Sequence, residues 1–306
     1  MVNELVNKIN ELKKKRKAII LAHNYQLAEV QDIADFVGDS LGLSIEASKT
    51  EAEVIVFCGV YFMAETAKIL SPHKTVLIPD KKAGCPMADM ITAKQLQELK
   101  KKHPQAKVLC YVNTTAEVKA EADYCCTSAN AINIVKGLIK DGEQVIFVPD
   151  KYLAHYVSTQ TQKDFVYWDG YCPTHIKIQA KDIKEKKMMH PDAEVIVHPE
   201  CRAEVIELAD KVLSTEGMCK YAKSSKAKEL IVGTETGLLY RLGKENPDKL
   251  FYPASEETIC PNMKLTTLEK ILWSLEDMKY EVIIENNLIQ KARLAIDRML
   301  QFSRVD

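Results

Sequence analysis

The sequence predicts an α/β protein made of three copies of one unit. Each is a three-layer αβα sandwich with a parallel four-stranded sheet, and the three are arranged about a pseudo-threefold axis. Two observations carry this. The segments beginning at His23 (HNYQLAEVQDIADFVGDS), Tyr111 (YVNTTAEVKAEADYCCTS) and His198 (HPECRAEVIELADKVLST) align without a gap, their starts 88 and then 87 residues apart. Glu-Val recurs at 29–30, 117–118 and 204–205, and Ala-Asp at 34–35, 122–123 and 209–210. Self-similarity at a fixed period marks a repeated supersecondary unit. The second observation is that Cys-Pro recurs at 85–86, 172–173 and 260–261, which is 62, 61 and 62 residues after those starts; no other cysteine recurs in this way.

The elements follow in chain order. Residues 1–17 carry Val2, Leu5, Ile9 and Leu12 at helical spacing among Asn, Glu and Lys, which reads as an amphipathic helix and not a signal peptide. Each unit then opens on an apolar run (18–22, 108–112, 195–197), continues through a helical stretch and a short run to a second helix, and adds runs at 54–58, 145–148 and 230–232 and at 76–78, 165–168 and 250–252. Strands alternating with helical patterns predict parallel sheets covered on both faces, joined by right-handed crossovers. Helices at 92–102 and 180–189 stop at the His-Pro pairs 103–104 and 190–191. The expected divisions are 1–103 with the N-terminal helix, 104–190, 191–280, and a last strand and helix at 281–306 that return to the first unit.

Composition narrows the function. The chain has 306 residues, 46% of them apolar and 28% charged, as in an ordinary globular protein. Forty-two basic residues offset 43 acidic ones, so no overall field attracts nucleic acid or an anionic membrane, and local groups must hold any anionic ligand. The longest apolar run, 54–64, is far short of the roughly 20 residues of a membrane span. Nine scattered cysteines with no Cys-x-x-Cys and no export signal predict a cytoplasmic protein with reduced thiols, used for packing, catalysis or metal.

In parallel sheets, ligands bind beyond the carboxyl ends of the strands. His23-Asn24-Tyr25, Tyr111-Val112-Asn113 and His198-Pro199-Glu200 lie at the ends of the first strands, and each Cys-Pro follows a fourth strand. About a threefold axis these ends meet in one cavity. Thiolates of Cys85, Cys172 and Cys260 suit either an open zinc site or three irons of a cubane cluster, and the count alone does not separate them. Cys58 and Cys110 read as core thiols; Cys125, Cys126, Cys201 and Cys219 stand outside the repeat, and Cys201, beside Glu200, is open to either a packing role or a place on the cavity wall. Ser40, Ser128 and Thr215 each fall 17 residues after a repeat start, as N-caps of the second helices. Such helix starts can also receive a carboxylate or phosphate. Glu200 is the acid/base candidate, with His23, His175, His198, Tyr25 and Tyr111 as further donors or acceptors.

HNY at 23–25, GDS at 38–40, CPMA at 85–88, YVN at 111–113, CTSANA at 126–131, CPTH at 172–175, HPE at 198–200, GTE at 233–235 and MKxxTLE at 263–269 together resemble the quinolinate synthase family over nearly the whole chain. The resemblance implies a triangular protein with a 4Fe-4S cluster at its centre. It also implies condensation of iminosuccinate with dihydroxyacetone phosphate, losing phosphate and two waters, to give quinolinate for NAD biosynthesis. Cys85, Cys172 and Cys260 would hold the cluster. His23, Ser40, Tyr111, Asn113, Ser128, His198, Glu200 and Thr215 would contact substrate with Tyr25 and His175 close by, and Glu200 and Tyr25 would move protons. An aspartate-oxidising enzyme would supply the imine. Some relatives carry further cysteines near the C-terminus; none follows Cys260 here, so no redox switch of that kind is expected. Two other readings stay open: an open-site zinc enzyme that hydrolyses or dehydrates a small acid, and an iron-sulfur sensor without catalysis.

Overall fold

Short runs rich in Val and Ile become strands wherever helices can cover both faces. The structure, a computed structural model, describes residues 2–302 and contains twelve strands among them. These are β1 (Ala18–His23), β2 (Phe36–Gly38), β3 (Val54–Cys58), β4 (Thr75–Leu77), β5 (Lys107–Tyr111), β6 (Tyr124–Cys126), β7 (Val145–Val148), β8 (Phe165–Tyr167), β9 (Glu194–Val197), β10 (Lys211–Val212), β11 (Glu229–Gly233) and β12 (Leu250–Pro253). They form three four-stranded sheets of one topology, β2-β1-β3-β4, β6-β5-β7-β8 and β10-β9-β11-β12. All pairings within the sheets are parallel. The central strands β3 and β7 are buried along their whole length, as expected of parallel strands covered on both faces.

The repeated dipeptides acquire physical meanings. The Ala-Asp aspartates Asp35, Asp123 and Asp210 each accept, at 2.7–2.8 Å, the backbone N–H of a residue in the first strand of their unit: Ile20, Val108 and Val195. Their own N–H groups return to the carbonyls of the same three residues. This double link fixes where β2, β6 and β10 begin beside β1, β5 and β9. The Glu-Val valines Val30, Val118 and Val205 are fully buried and anchor the first helix of each unit.

The helices that close the units also join them. Ala180–Met189 packs on β11 of the third sheet, and Leu268–Asp277 packs on β3 and on the N-terminal helix Val2–Lys15. Leu268, Ile271 and Leu275 thereby bury one face of the first sheet together with Ile9. The last repeat thus supplies a cover for the first.

The strand read after residue 280 is corrected. Glu281 makes a single antiparallel bridge to Leu77, flanked by Val282 N–H to Val76 O at 2.8 Å, and the chain then leaves the sheet. Ile283 points to solvent, 79% exposed, so the apolar run has no face to bury as a strand. Helix Asn286–Leu300 follows and lies on the helix Ala116–Ala120 and β6 of the second unit as well as on Tyr61–Leu70 of the first. Met1 and residues 303–306 lie outside the described residues. No helix among those described is long and apolar enough to cross a membrane.

At the seam between the first two units, Glu65 is buried at 8% exposure and accepts the N–H of Ala116. Burial, only partly offset by the Lys119 ammonium, pushes its carboxyl up from 4.5 to about 7. An acid with a raised folded pKa is favoured below its unfolded value, and that advantage is lost as pH rises through the folded one. Glu65→Gln, which keeps the acceptor but cannot ionise, is therefore expected to match wild type near pH 4.5. It should be more stable above pH 7, by on the order of 3 kcal/mol. Denaturant melts at the two pH values check this; equal midpoints at alkaline pH would refute it.

Candidate active site

The carboxyl ends of all three sheets open on one cavity of about 240 Å³. Cys85, Cys172, Cys260, His23, Tyr25, Ser40, Tyr111, Asn113, Ser128, His175, His198, Glu200 and Thr215 all line it. Cys58, Cys110, Cys125, Cys126, Cys201 and Cys219 are buried elsewhere. Cys201, the neighbour of Glu200, turns away and donates its thiol to Gly233 O.

The three cavity cysteines share one local build. Each Cys-Pro is followed by a single 3-10 turn, Ala88–Met90, His175–Lys177 or Met263–Leu265. The backbone N–H groups two and three residues ahead donate to each sulfur: Met87 and Ala88 to Cys85, Thr174 and His175 to Cys172, Asn262 and Met263 to Cys260. Such donors favour the thiolate, but burial outweighs them. It raises the Cys85 thiol to about 12, Cys260 above its ordinary value and Cys172 well above it. The sulfurs therefore become thiolates only alongside positive charge. Cys172, His175 and Glu200 bring ligand atoms within 4.8 Å of one another, close enough to share an ion.

Glu200 is the hub of the polar groups. Its Oε1 accepts from the Tyr111 hydroxyl at 2.6 Å, and its Oε2 lies 2.7 Å from His175 Nδ1. His175 Nε2 is 2.9 Å from Thr234 Oγ1, which is 2.5 Å from the Tyr25 hydroxyl. An unbroken chain thus runs Tyr111–Glu200–His175–Thr234–Tyr25. Burial raises the Glu200 carboxyl, but His175, His198 and the Tyr111 hydroxyl together bring it down to about 2. Burial first, then the charge of Glu200, raises the phenols of Tyr25 and Tyr111 well above 10. Glu200 is ionised at neutral pH while both phenols keep their protons.

His23 and His198 form a matched pair. The backbone N–H two residues on, of Tyr25 or Glu200, donates to Nδ1 at 3.2 and 3.4 Å. Burial lowers their pKa values to about 4 and about 3, against partial opposition from Asp39 and Glu200. Both rings are then neutral with the proton on Nε2, and that of His198 meets Ser128 Oγ at 3.2 Å.

The expected N-caps are corrected by one or more positions. Asp39 caps Ser40–Lys49 by accepting from Gly42 N–H, and Ser214 caps Thr215–Ser224 by accepting from Gly217 N–H. Asn130 stands at the cap position of Ala131–Leu138, with its Oδ1 bonded to Thr127. Where two capping residues are adjacent, the first takes the role and the second becomes the first helical residue. The hydroxyls of Ser40 and Thr215 are thereby released towards the cavity. Asn24 reaches Thr215 Oγ1 at 2.9 Å, and Asn113 Oδ1 is buried with no partner.

Sequence reasoning gave no role to Thr234, Glu235 or Lys264. Glu235, fully buried, accepts the Cys260 N–H at 3.1 Å and pairs with Lys264 at 2.9 Å, and Lys264 also donates to Tyr25 O. This bridge ties the third cysteine loop to the first strand end. A Cβ on Gly237 would lie 2.8 Å from Tyr25 O and 2.6 Å from Lys264 Nζ. Gly237→Ala is accordingly expected to cost about 1–3 kcal/mol by overpacking, read as a lowered denaturation midpoint. Their only signal was membership of the GTE and MKxxTLE motifs.

Comparison with known proteins agrees with the geometry. Relatives named quinolinate synthase include those of Dehalococcoides mccartyi strain CBDB1 (59% identical over 98% of this chain and 99% of that protein) and Thermodesulfovibrio yellowstonii (57%, 98% and 99%). That of Methanosarcina barkeri is 56% identical over 97% of each. The model of the quinolinate synthetase A protein family matches residues 7–301. With so complete a match, the chain belongs to the quinolinate synthetase A family.

Proposed function

We propose that the chain is a quinolinate synthase that joins iminosuccinate to dihydroxyacetone phosphate, releasing phosphate and two waters, with a 4Fe-4S cluster held by Cys85, Cys172 and Cys260. The observation that carries this reading is the cavity itself: three equivalent sulfurs, each with two N–H donors, face the Glu200 network. Three thiolates on three equivalent loops suit the three protein-held irons of a cubane cluster. When bound, the cluster supplies an iron without a protein ligand, a Lewis acid for oxygen or nitrogen groups.

The chain's own residues would do the rest. The N-terminal N–H groups of Ser40–Lys49 and Thr215–Ser224, with the Ser40 and Thr215 hydroxyls, suit the phosphate and carboxylates. The Nε2–H groups of His23 and His198 donate to carboxylate oxygens without adding charge. Asn113 Oδ1 can accept from an imine N–H or a hydroxyl. Loss of two waters requires protons to leave carbon and reach departing oxygen. Glu200, ionised and fed by Tyr111 and His175, accepts such a proton, and Tyr25 at the far end of the chain returns one. We further propose that the reaction runs in the cytoplasm on iminosuccinate supplied by an aspartate-oxidising enzyme. Anaerobic reconstitution with iron and sulfide, followed by a quinolinate assay with the two substrates, tests the reading. Product formation is expected; a fully loaded protein that makes none sinks it.

A further inference from the structure

We propose that Lys119 is a positioning residue that holds Tyr111 and Asn113 in the geometry the reaction needs. A fully buried lysine is rare and needs a reason. Lys119 is completely buried on the short helix Ala116–Ala120, and its Nζ donates to the carbonyl of Thr114. Thr114 Oγ1 in turn donates to Tyr111 O at 3.0 Å. The stretch from Val112 to Thr114 belongs to no helix or strand; its backbone is held by Val112 N–H to Cys126 O at 2.9 Å and Thr114 N–H to Val112 O at 2.8 Å, and the Lys119 ammonium adds a third tie at Thr114 O. It carries Asn113, whose Oδ1 has no partner, and directly follows Tyr111, the last residue of β5, which is bonded to Glu200.

The same ammonium sits 5.4 Å from the centre of the Phe62 ring, and Phe62 lines the cavity. Glu65, one turn further along that helix, accepts the Ala116 N–H and feels the Lys119 charge. Both elements therefore grip the loop across the seam between the first and second units.

The inference rests on the proposed reaction for its kinetics but not for its structural readout. In cluster-loaded Lys119→Met, kcat is expected to fall about tenfold with KM little changed and iron and sulfide at the wild-type level. In a Tyr111→Phe background the same change should cost clearly less than in the parent, because one of the two positioned groups is gone. An equal loss in both backgrounds, or no loss in wild type, overturns the proposal. Thr114→Val, which removes the hydroxyl linking this loop to Tyr111 O, gives the same cycle should Lys119→Met not fold. A structure of either variant reads the effect without turnover. The Tyr111–Glu200 contact, 2.6 Å in the parent, should open beyond about 3.2 Å, and its persistence refutes the role even if no quinolinate is made.

Discussion

Cys172→Ala is expected to leave a folded chain with iron and sulfide at background and no quinolinate formation. The Cys172 sulfur receives N–H groups from Thr174 and His175 and lies 3.1 Å from His175 Nδ1. No second thiol takes its place in the cavity, since the cysteines other than Cys85, Cys172 and Cys260 are all buried elsewhere. A cluster on two thiolates would leave two irons without a protein ligand, and in a site that raises thiol pKa values there is little to retain it. Cys85→Ala and Cys260→Ala should behave alike. Cys58→Ala, in the middle of the first core, should keep the cluster and lose only about 1–2 kcal/mol of packing. Metal and sulfide analysis decides the matter, and full loading of Cys172→Ala overturns the ligand assignment.

Much of this architecture was readable because a parallel strand buried on both faces leaves an uninterrupted apolar run. Residues 54–58 and 145–148 coincide with β3 and β7 for that reason. The cavity was readable because three Cys-Pro pairs keep one distance from three strand ends, and equal chain paths in equal units end at equivalent points. What escaped was set by contacts between distant segments. The Ala-Asp repeat was visible, but nothing local says that its carboxylate bonds a residue 15 positions earlier in the chain. Asp39-Ser40 and Ser214-Thr215 each offer two capping residues, and only the backbone angles choose between them. Glu235 and Lys264 have ordinary surface identities until the fold places them beside the Cys260 N–H and Tyr25 O. The run at 281–284 looks like a strand, yet the first sheet ends at β4 and offers only a one-residue bridge.

Glu200→Gln should retain the cluster and lose turnover by about 10²–10⁴-fold. The substitution preserves size, and an amide oxygen can still accept from Tyr111. The second position fails, because the amide NH₂ would face His175 Nδ1, which now donates to Glu200 Oε2 at 2.7 Å. Either the contact is lost or His175 moves its proton to Nε2, which reverses the hydrogen bond to Thr234 and interrupts the path to Tyr25. Removing the carboxylate also removes a charge that holds both phenols above their ordinary pKa, so Tyr25 and Tyr111 should titrate at lower pH than in the parent. Stability has its own signature. The Glu200 carboxyl is depressed to about 2, so its contribution is present above the unfolded pKa and is lost only as pH falls through about 2. The variant should thus be less stable than the parent near pH 7 and approach it in strong acid. Iron analysis, single-turnover quinolinate formation and a pH series of melts separate the three effects. A variant that turns over at the parental rate removes Glu200 from the chemistry, whereas one that loses its iron reassigns the residue to holding the cluster.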